Sequence, residues 1–242
     1  MSLSERVAFV TGASGGIGRE ICLSLAREGV KLVLFGGTKE EKLKETAKFL
    51  EEYGCVLGVY AGDLTDDLTL DTLFERAIKK IGKIDILINN AGMAFNCDFE
   101  KTEAKILDKI MNINFRSPYL LTQKALPYIK KSNRASIINI SSVVAHVGYP
   151  QQSAYVASKH ALLGFTKSLA NEVYKDGVRV HAISPGGVFT DMIKIARPDL
   201  TGEGMIQPKE VADIVMFLLK NRGNAVIDEI VVHRVNKEPF MV

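Results

Sequence analysis

The chain has 242 residues, of which 47% are hydrophobic and 24% charged, and its formal net charge is +3. This is the composition of a globular protein with a substantial core, and because no linker-like stretch divides it we expect a single domain over residues 1–242. Basic residues are scattered among acidic ones, which argues against a nucleic-acid-binding protein.

The cysteines Cys22, Cys55 and Cys97 are isolated from one another, a spacing that favours reduced thiols over a disulfide framework or a structural metal site. No segment approaches the roughly 20 apolar residues of a membrane span, and the N-terminus runs directly into a strand pattern. We therefore expect a cytoplasmic protein without a metal or a membrane partner.

Short apolar runs alternate with amphipathic segments along nearly the whole chain. The predicted strands are Val7–Thr11, Leu32–Phe35, Val56–Ala61, Ile84–Asn89, Ser136–Ile140, Val178–Ser184 and Val226–Val232. The predicted helices are Ile17–Glu28, Leu68–Ile81, Ile106–Ile129, Ser153–Tyr174 and Lys209–Leu219. This alternation predicts a three-layer α/β fold with a doubly wound, Rossmann-type parallel sheet of about seven strands, whose ligand sites follow the strands directly.

The first predicted strand ends in a glycine-rich turn that opens the first helix, T-G-A-S-G-G-I-G over Thr11–Gly18. Glycines such as Gly12, Gly15 and Gly18 allow backbone N–H groups and the helix N-terminus to approach a pyrophosphate. The spacing differs from the general G-x-G-x-x-G fingerprint. The pattern favours a dinucleotide site, with a tight turn that binds no ligand as the alternative.

The end of the second predicted strand indicates which dinucleotide is bound. Phe35–Lys39 reads F-G-G-T-K, without the acid that usually holds an adenosine ribose and repels a 2′-phosphate. Thr38 could donate a hydrogen bond to such a phosphate and Lys39 could neutralise it. The sequence therefore favours NADP(H) over NAD(H) as cofactor.

Tyr155 and Lys159 lie four residues apart in a predicted helix and project from the same face. A nearby ammonium and a positively charged nicotinamide both favour a phenolate, so this pair predicts a proton-transferring tyrosine with a lowered pKa. Ser142 ends a predicted strand, where it could hydrogen-bond a substrate oxygen. Each residue also has a structural alternative: a buried ring, a solvated helix residue and a helix cap.

Together these features resemble the short-chain dehydrogenase/reductase family, from about Arg6 to about Leu219. The motifs that carry the resemblance are Thr11–Gly18, Asp63-Leu64, Asn89-Asn90-Ala91-Gly92, Asn114, Ser142, Tyr155 with Lys159, and Pro185-Gly186. The resemblance implies that Tyr155 is the general acid or base, that Lys159 holds the nicotinamide ribose, that Ser142 orients the substrate oxygen, and that Asn114 fixes a water in a proton relay.

The resemblance also implies a set of cofactor contacts beyond Tyr155 and Lys159. They are Gly12, Ser14, Ile17 and Gly18 at the pyrophosphate, Asp63 and Leu64 at the adenine, Asn90, Ala91 and Gly92 on the ribose side, and Pro185, Gly186, Val188 and Thr190 at the nicotinamide. From the residues themselves we add Gly15 of the glycine turn and Thr38 after the second predicted strand.

The activity implied is hydride transfer between a nicotinamide and a carbonyl or secondary alcohol, specifically by an NADPH-dependent ketone or 3-oxoacyl (acyl-carrier) reductase. An NAD-dependent sugar or polyol dehydrogenase and a non-catalytic NADP-sensing protein are the alternatives. A small-molecule substrate and a homo-oligomer, a tetramer or a dimer, are expected as partners.

Other segments bear on the substrate. The tail Ile230–Phe240 departs from the glycine-rich tail of many relatives, and Asp191–Pro208 is predicted to be a mobile lid. His146 is the histidine nearest the predicted site, and we interpret it as a loop residue, with a place in the substrate pocket as the alternative. The remaining histidines, His160, His181 and His233, lack the spacing of metal ligands.

Overall fold

The structure is a computed structural model and describes residues 2–191, 193 and 201–238. Its centre is a single sheet of seven parallel strands in the order β3-β2-β1-β4-β5-β6-β7. The strands are β1 (Val7–Thr11), β2 (Lys31–Gly36), β3 (Val56–Ala61), β4 (Ile86–Asn89), β5 (Ser136–Ile140), β6 (Arg179–Pro185) and β7 (Glu229–Val232). The doubly wound fold is confirmed.

Helices cover both faces of this sheet. They are α1 (Gly16–Arg27), α2 (Glu40–Phe49), α3 (Asp67–Ile81), α4 (Ala104–Met111), α5 (Ser117–Ile129), α6 (Ser153–Val173) and α7 (Pro208–Lys220). Apolar residues of α1, α2 and α7 form one buried core with the sheet, and those of α3, α5 and α6 form the other. The inner strands β1, β2, β4, β5 and β6 are buried along nearly their whole length, which explains why most of their residues are apolar.

The helices differ from the sequence prediction in two places. Helix α2 was not predicted, since it buries only Leu43 and Thr46 and most of its other residues are charged. The long helix predicted over Ile106–Ile129 is divided into α4 and α5 by a π-helical stretch, Asn112–Arg116. A π-helical turn widens the backbone ladder and is frequent at functional sites.

β4 and β7 begin two and three residues later than predicted. At β4, the carboxylate of Asp85 accepts a hydrogen bond from the backbone N–H of Val7 at 2.9 Å, and pairing starts at Ile86. At β7, Val226 and Ile227 are 50% and 38% exposed, and pairing starts at Glu229.

The chain crosses from β3 at one edge of the sheet to β4 beside β1. In such a sheet the crevice beyond the carboxyl ends of the two strands at this switch point is where ligands bind. We therefore expect a ligand site among the residues that follow β1 and β4. Among the described residues, no helix combines the length and the apolar character needed to cross a membrane.

Candidate active site

The turn between β1 and α1 is packed so tightly that it requires glycine. Gly12 has φ 64°, a left-handed conformation, and a Cβ at Gly18 would lie 2.1 Å from the carbonyl oxygen of Gly12. Gly15, in contrast, is extended, exposed and faces open space. The turn thus brings the first residues of α1 against the end of β1 and leaves room outside Gly15.

Side chains from β1 and from the segment after β4 hold this turn in place. The hydroxyl of Thr11 accepts hydrogen bonds from the backbone N–H groups of Asn90 and Ala91, both at 3.0 Å. The amide of Asn90 donates to the carbonyl oxygens of Thr11 and Gly12 at 3.1 and 3.2 Å. Asn90 and Ala91 therefore hold the glycine turn against the segment that follows β4. The sequence had not indicated this role for Thr11.

The predicted adenosine end is more open. Thr38 and Lys39 are exposed, directly before α2. Asp63 is also exposed and accepts hydrogen bonds from the hydroxyl and the backbone N–H of Thr65 at 2.7 and 2.9 Å, which lower the pKa of its carboxyl. The side chain of Leu64 is only 4% exposed and packs in the core, so only its backbone is placed to border a ligand.

Ser142 and Tyr155 meet at the carboxyl edge of the sheet, near the end of β6. Ser142 follows β5 and donates to the carbonyl oxygen of Pro185 at 3.3 Å, and its hydroxyl lies close enough to the Tyr155 phenol to affect the pKa of that group. Burial raises the pKa of Tyr155, and the neighbouring Ser142 hydroxyl acts in the opposite direction. The structure thus brings together two residues that the sequence placed in different elements.

The sequence predicted that Lys159 lowers the pKa of Tyr155, whereas in the structure burial outweighs any such effect. The Lys159 Nζ lies 5.9 Å from the centre of the Tyr155 ring and donates to the carbonyl oxygen of Ile140 at 2.9 Å. Lys159 is itself 5% exposed, and burial lowers its pKa to about 8. The same desolvation that keeps the phenol protonated therefore disfavours the charged form of Lys159.

Asn114 lies in the π-helical stretch and is 1% exposed. Its Oδ1 accepts from the N–H of Met93 at 2.8 Å, and its Nδ2 donates to the Met93 carbonyl oxygen and to the Ser158 hydroxyl, both at 2.9 Å. A Cβ at Gly92 would lie 2.9 Å from the Asn114 Oδ1 and 3.7 Å from the Lys159 Nζ. The structure thus brings Asn114, Gly92 and Lys159 together.

The loop after β6 completes the edge. The Gly186 N–H donates to the carbonyl oxygen of Val232 at 2.8 Å, which anchors the loop on β7. Thr190 reaches back to the glycine turn, where a Cβ at Gly16 would lie 3.0 Å from its Cγ2. Val188 is 7% exposed and forms a parallel bridge with Ile206. The predicted nicotinamide loop and the predicted pyrophosphate turn are therefore neighbours.

A buried polar network beneath this edge was missed in the sequence. The Asn89 Nδ2 donates to the Asn139 Oδ1 at 2.8 Å and to the Thr122 hydroxyl at 3.0 Å, and the Asn139 Nδ2 donates to the Thr166 hydroxyl at 2.8 Å. These bonds join β4 and β5 to α5 and α6. Both asparagines are polar residues in strands that are otherwise almost entirely apolar, and that signal could have revealed the network.

His146 has a specific partner, which the sequence did not indicate. Its Nε2 lies 2.7 Å from the Glu229 Oε1 on β7. His181 is buried on β6, with its Nδ1 2.6 Å from the carbonyl oxygen of Ile227. Residues 192 and 194–200 of the predicted lid lie outside the described residues. Within its described part, the Ile206 N–H donates to the Gly187 carbonyl oxygen at 3.2 Å.

The glycine turn fits the diphosphate of a dinucleotide. Helix α1, all of whose residues the structure describes, has no acid in its first turn and no side-chain cap at Gly15. Its first N–H groups are therefore available to an anion that also meets the positive end of the helix dipole. The open space outside Gly15 leaves room for such a group.

Comparisons with known proteins agree with this geometry. A family model for short chain dehydrogenases matches residues 6–201. The 3-oxoacyl-[acyl-carrier-protein] reductase of Thermotoga maritima is 31% identical, over 96% of this chain and 97% of its own.

Two solved structures have the same fold. A 3-ketoacyl-(acyl-carrier-protein) reductase from Brucella melitensis complexed with NADH has a TM-score of 0.84 and 28% identity, over 96% of this chain and 97% of its own. A metagenomic short-chain oxidoreductase in complex with NADP also has a TM-score of 0.84, with 30% identity over 96% of this chain and 99% of its own.

The family model spans most of the chain, and the acyl-carrier relative aligns over nearly all of it. The chain therefore belongs to the short-chain dehydrogenase family, and it is an oxidoreductase that acts on carbonyl or alcohol groups of small-molecule substrates with NAD(P).

Proposed function

We propose that this chain is an NADPH-dependent ketone reductase whose substrates are 3-oxoacyl groups carried as acyl-carrier thioesters. The observation that carries the proposal is the meeting of Ser142 and Tyr155, with Lys159 one helical turn further on, at the sheet edge beside the glycine turn. The acyl-carrier reductases among its relatives support the substrate class. They do not favour a sugar or polyol dehydrogenase or a non-catalytic sensor.

In the proposed reaction Tyr155 donates its phenolic proton to the carbonyl oxygen, and the bound cofactor supplies the hydride. A phenol whose pKa is raised by burial remains protonated at neutral pH, as a proton donor in reduction must be. Ser142 orients the same oxygen through its hydroxyl and stabilises the charge that develops there. Lys159 and Asn114 are proposed to bind the nicotinamide ribose and to position a water that returns the proton.

The proposed cofactor contacts follow the two sides of the sheet edge. They are Gly12, Ser14, Gly15, Ile17, Gly18, Thr38, Asp63, Leu64, Asn90, Ala91, Gly92, Tyr155, Lys159, Pro185, Gly186, Val188 and Thr190. We propose that the exposed pair Thr38 and Lys39 determines the preference for NADP(H) over NAD(H). We expect Lys39→Asp to lower kcat/KM with NADPH about tenfold while leaving that with NADH within about twofold, because only the former loses a charge-assisted contact. Equal losses with both cofactors would contradict this assignment.

We further propose that residues 1–242 form one domain of a cytoplasmic homo-oligomer, a tetramer or a dimer. The support is an aromatic cluster on α5 and α6, where the 42% exposed Tyr119 packs on Phe165 with ring centres 4.9 Å apart. Surface aromatics of this kind are enriched in subunit interfaces. Analytical ultracentrifugation would test the proposal, and a monomer at micromolar concentration would overturn it.

The mechanism is tested by Tyr155→Phe with an acetoacetyl thioester and NADPH, monitored by nicotinamide absorbance. We expect turnover to be abolished while the Kd of NADPH changes little, because the phenol's task is proton transfer. Tyr128→Phe is the matched control, since its ring packs on Phe74 away from the site. Wild-type rates in Tyr155→Phe would refute the mechanism. Turnover of other ketones without reduction of the thioester would refute the substrate class alone.

A further inference from the structure

Glu229, the first residue of β7, makes a contact that reaches across the sheet edge. Its Oε1 accepts a hydrogen bond from the Ser184 hydroxyl on β6 at 2.6 Å and lies 2.7 Å from the His146 Nε2, in the loop after β5. The Glu229 side chain is 19% exposed and that of His146 is 26% exposed. One carboxylate thus links residues of β6, β7 and the loop that follows β5.

Both partners of Glu229 are next to groups of the proposed reaction. Ser184 directly precedes Pro185, whose carbonyl oxygen accepts the hydrogen bond from Ser142 at 3.3 Å. His146 ends the short turn that begins at Ser142, and its N–H donates to the carbonyl oxygen of Val143 at 3.0 Å. The contacts of Glu229 therefore hold the Ser142 turn and the Pro185 loop at a fixed separation.

The chemistry of these contacts makes them hard to replace. Ser184 is 0% exposed, so its hydroxyl would be left without a described partner if the carboxylate were removed, and an unsatisfied buried hydroxyl is unfavourable. Hydrogen bonds to a charged acceptor are shorter and stronger than those between neutral groups. Two contacts therefore oppose rotation of the turn from Ser142 to His146. One is the hydrogen bond of Ser142 to Pro185, and the other is the contact of His146 with Glu229.

We propose that Glu229 is a positioning residue for carbonyl reduction, which acts with His146 to hold the Ser142 hydroxyl in line with the Tyr155 phenol. This inference rests on the proposed role of Ser142. Because misplacement of a reacting group by about 1 Å can reduce a rate by about 100-fold, the loss of this contact affects kcat more than cofactor binding.

The first test measures kcat, KM for an acetoacetyl thioester, and the Kd of NADPH for Glu229→Ala, Glu229→Gln and His146→Ala. We expect kcat to fall about tenfold in Glu229→Ala and in His146→Ala, with the Kd of NADPH within about threefold of wild type. Glu229→Gln keeps an acceptor oxygen for Ser184 and His146, so most of kcat should be retained. Glu28→Ala is the matched control, because Glu28 forms a comparable 2.6 Å ion pair with Lys220 away from the site.

The second test combines each variant with Ser142→Ala. If Glu229 acts through Ser142, then Glu229→Ala and His146→Ala reduce kcat only when Ser142 is present, whereas a general loss of structure reduces it in both backgrounds. Equal reductions in both backgrounds overturn this inference. A wild-type rate for Ser142→Ala alone overturns the proposed role of Ser142 instead. If Glu229→Ala does not fold, His146→Ala decides the outcome, since His146 lies in the loop after β5 and outside the sheet.

Discussion

Replacing Gly18 with alanine would place a methyl group where the glycine turn has no room. The new Cβ would lie 2.1 Å from the carbonyl oxygen of Gly12 and 2.6 Å from the Asn90 Nδ2. Neither obstacle can move independently, because Asn90 donates hydrogen bonds to the backbone of the turn at 3.1 and 3.2 Å. The first turn of α1 would therefore have to shift relative to β1.

The size of the shift sets the expected effect. The contact to Gly12 is about 1.3 Å shorter than the 3.4 Å at which ordinary van der Waals contact begins. Overpacking of this kind costs about 1–3 kcal/mol, and we expect the upper end because the obstacle is backbone. For a protein of this size about 3 kcal/mol corresponds to a decrease in Tm of about 6–12 °C. Displacement of the helix N-terminus should also weaken NADPH binding by at least about tenfold.

Gly15→Ala is the matched control in the same turn. Gly15 has φ 176° and ψ 176°, which any residue adopts, and nothing lies within 4 Å of an added Cβ. Thermal unfolding followed by circular dichroism should give a Tm within about 2 °C of wild type, while fluorescence titration should show weaker NADPH binding, since the methyl group occupies the space left for the diphosphate. A wild-type Tm for Gly18→Ala would refute the packing argument, and unchanged affinity in Gly15→Ala would refute the location of the ligand.

Three further changes test other parts of the structure. Burial lowers the pKa of Lys159 from 10.5 to about 8, so between these values the unfolded chain binds a proton that the folded protein does not, and stability increases with pH. Lys159→Met should therefore raise the free energy of unfolding, measured with urea, by up to about 3 kcal/mol at pH 7 and by much less at pH 10. A difference between variant and wild type that does not change with pH would contradict this. Gln151 has φ 63°, a left-handed conformation that costs about 1–2 kcal/mol in residues other than glycine. Gln151→Gly should therefore raise Tm by about 2–4 °C, although it removes an exposed hydrogen bond to Asp98. A lower Tm would show that the hydrogen bond contributes more than the backbone strain. Arg222 donates hydrogen bonds to acceptors near the amino ends of β5 and β6 at 2.6–3.1 Å. Arg222→Gln should therefore lower the free energy of unfolding by about 2 kcal/mol. A decrease of less than about 0.5 kcal/mol in chemical unfolding would show that these bonds contribute little to stability.

Much of the fold could be predicted because its signals are local. Most strands are runs of mainly apolar residues, and the prediction of β1, β3 and β5 is correct at both ends. Helix α2 escaped prediction because it is mostly charged and buries few residues. The division between α4 and α5 escaped it because the apolar periodicity continues across Asn112–Arg116. The backbone of that stretch is held by contacts of Asn114 with Met93 and Ser158, which are distant in sequence.

By itself the sequence determined the local geometry of the candidate site: a turn that only glycine can form, and a tyrosine and a lysine four residues apart on one helix face. The tertiary structure decided what surrounds them. Burial raises the pKa of Tyr155 although a lysine lies one turn away, because desolvation depends on every element packed around the ring. The contact between His146 and Glu229 joins residues 83 positions apart, and no local pattern encodes such a pair, since only the order of the strands brings them together.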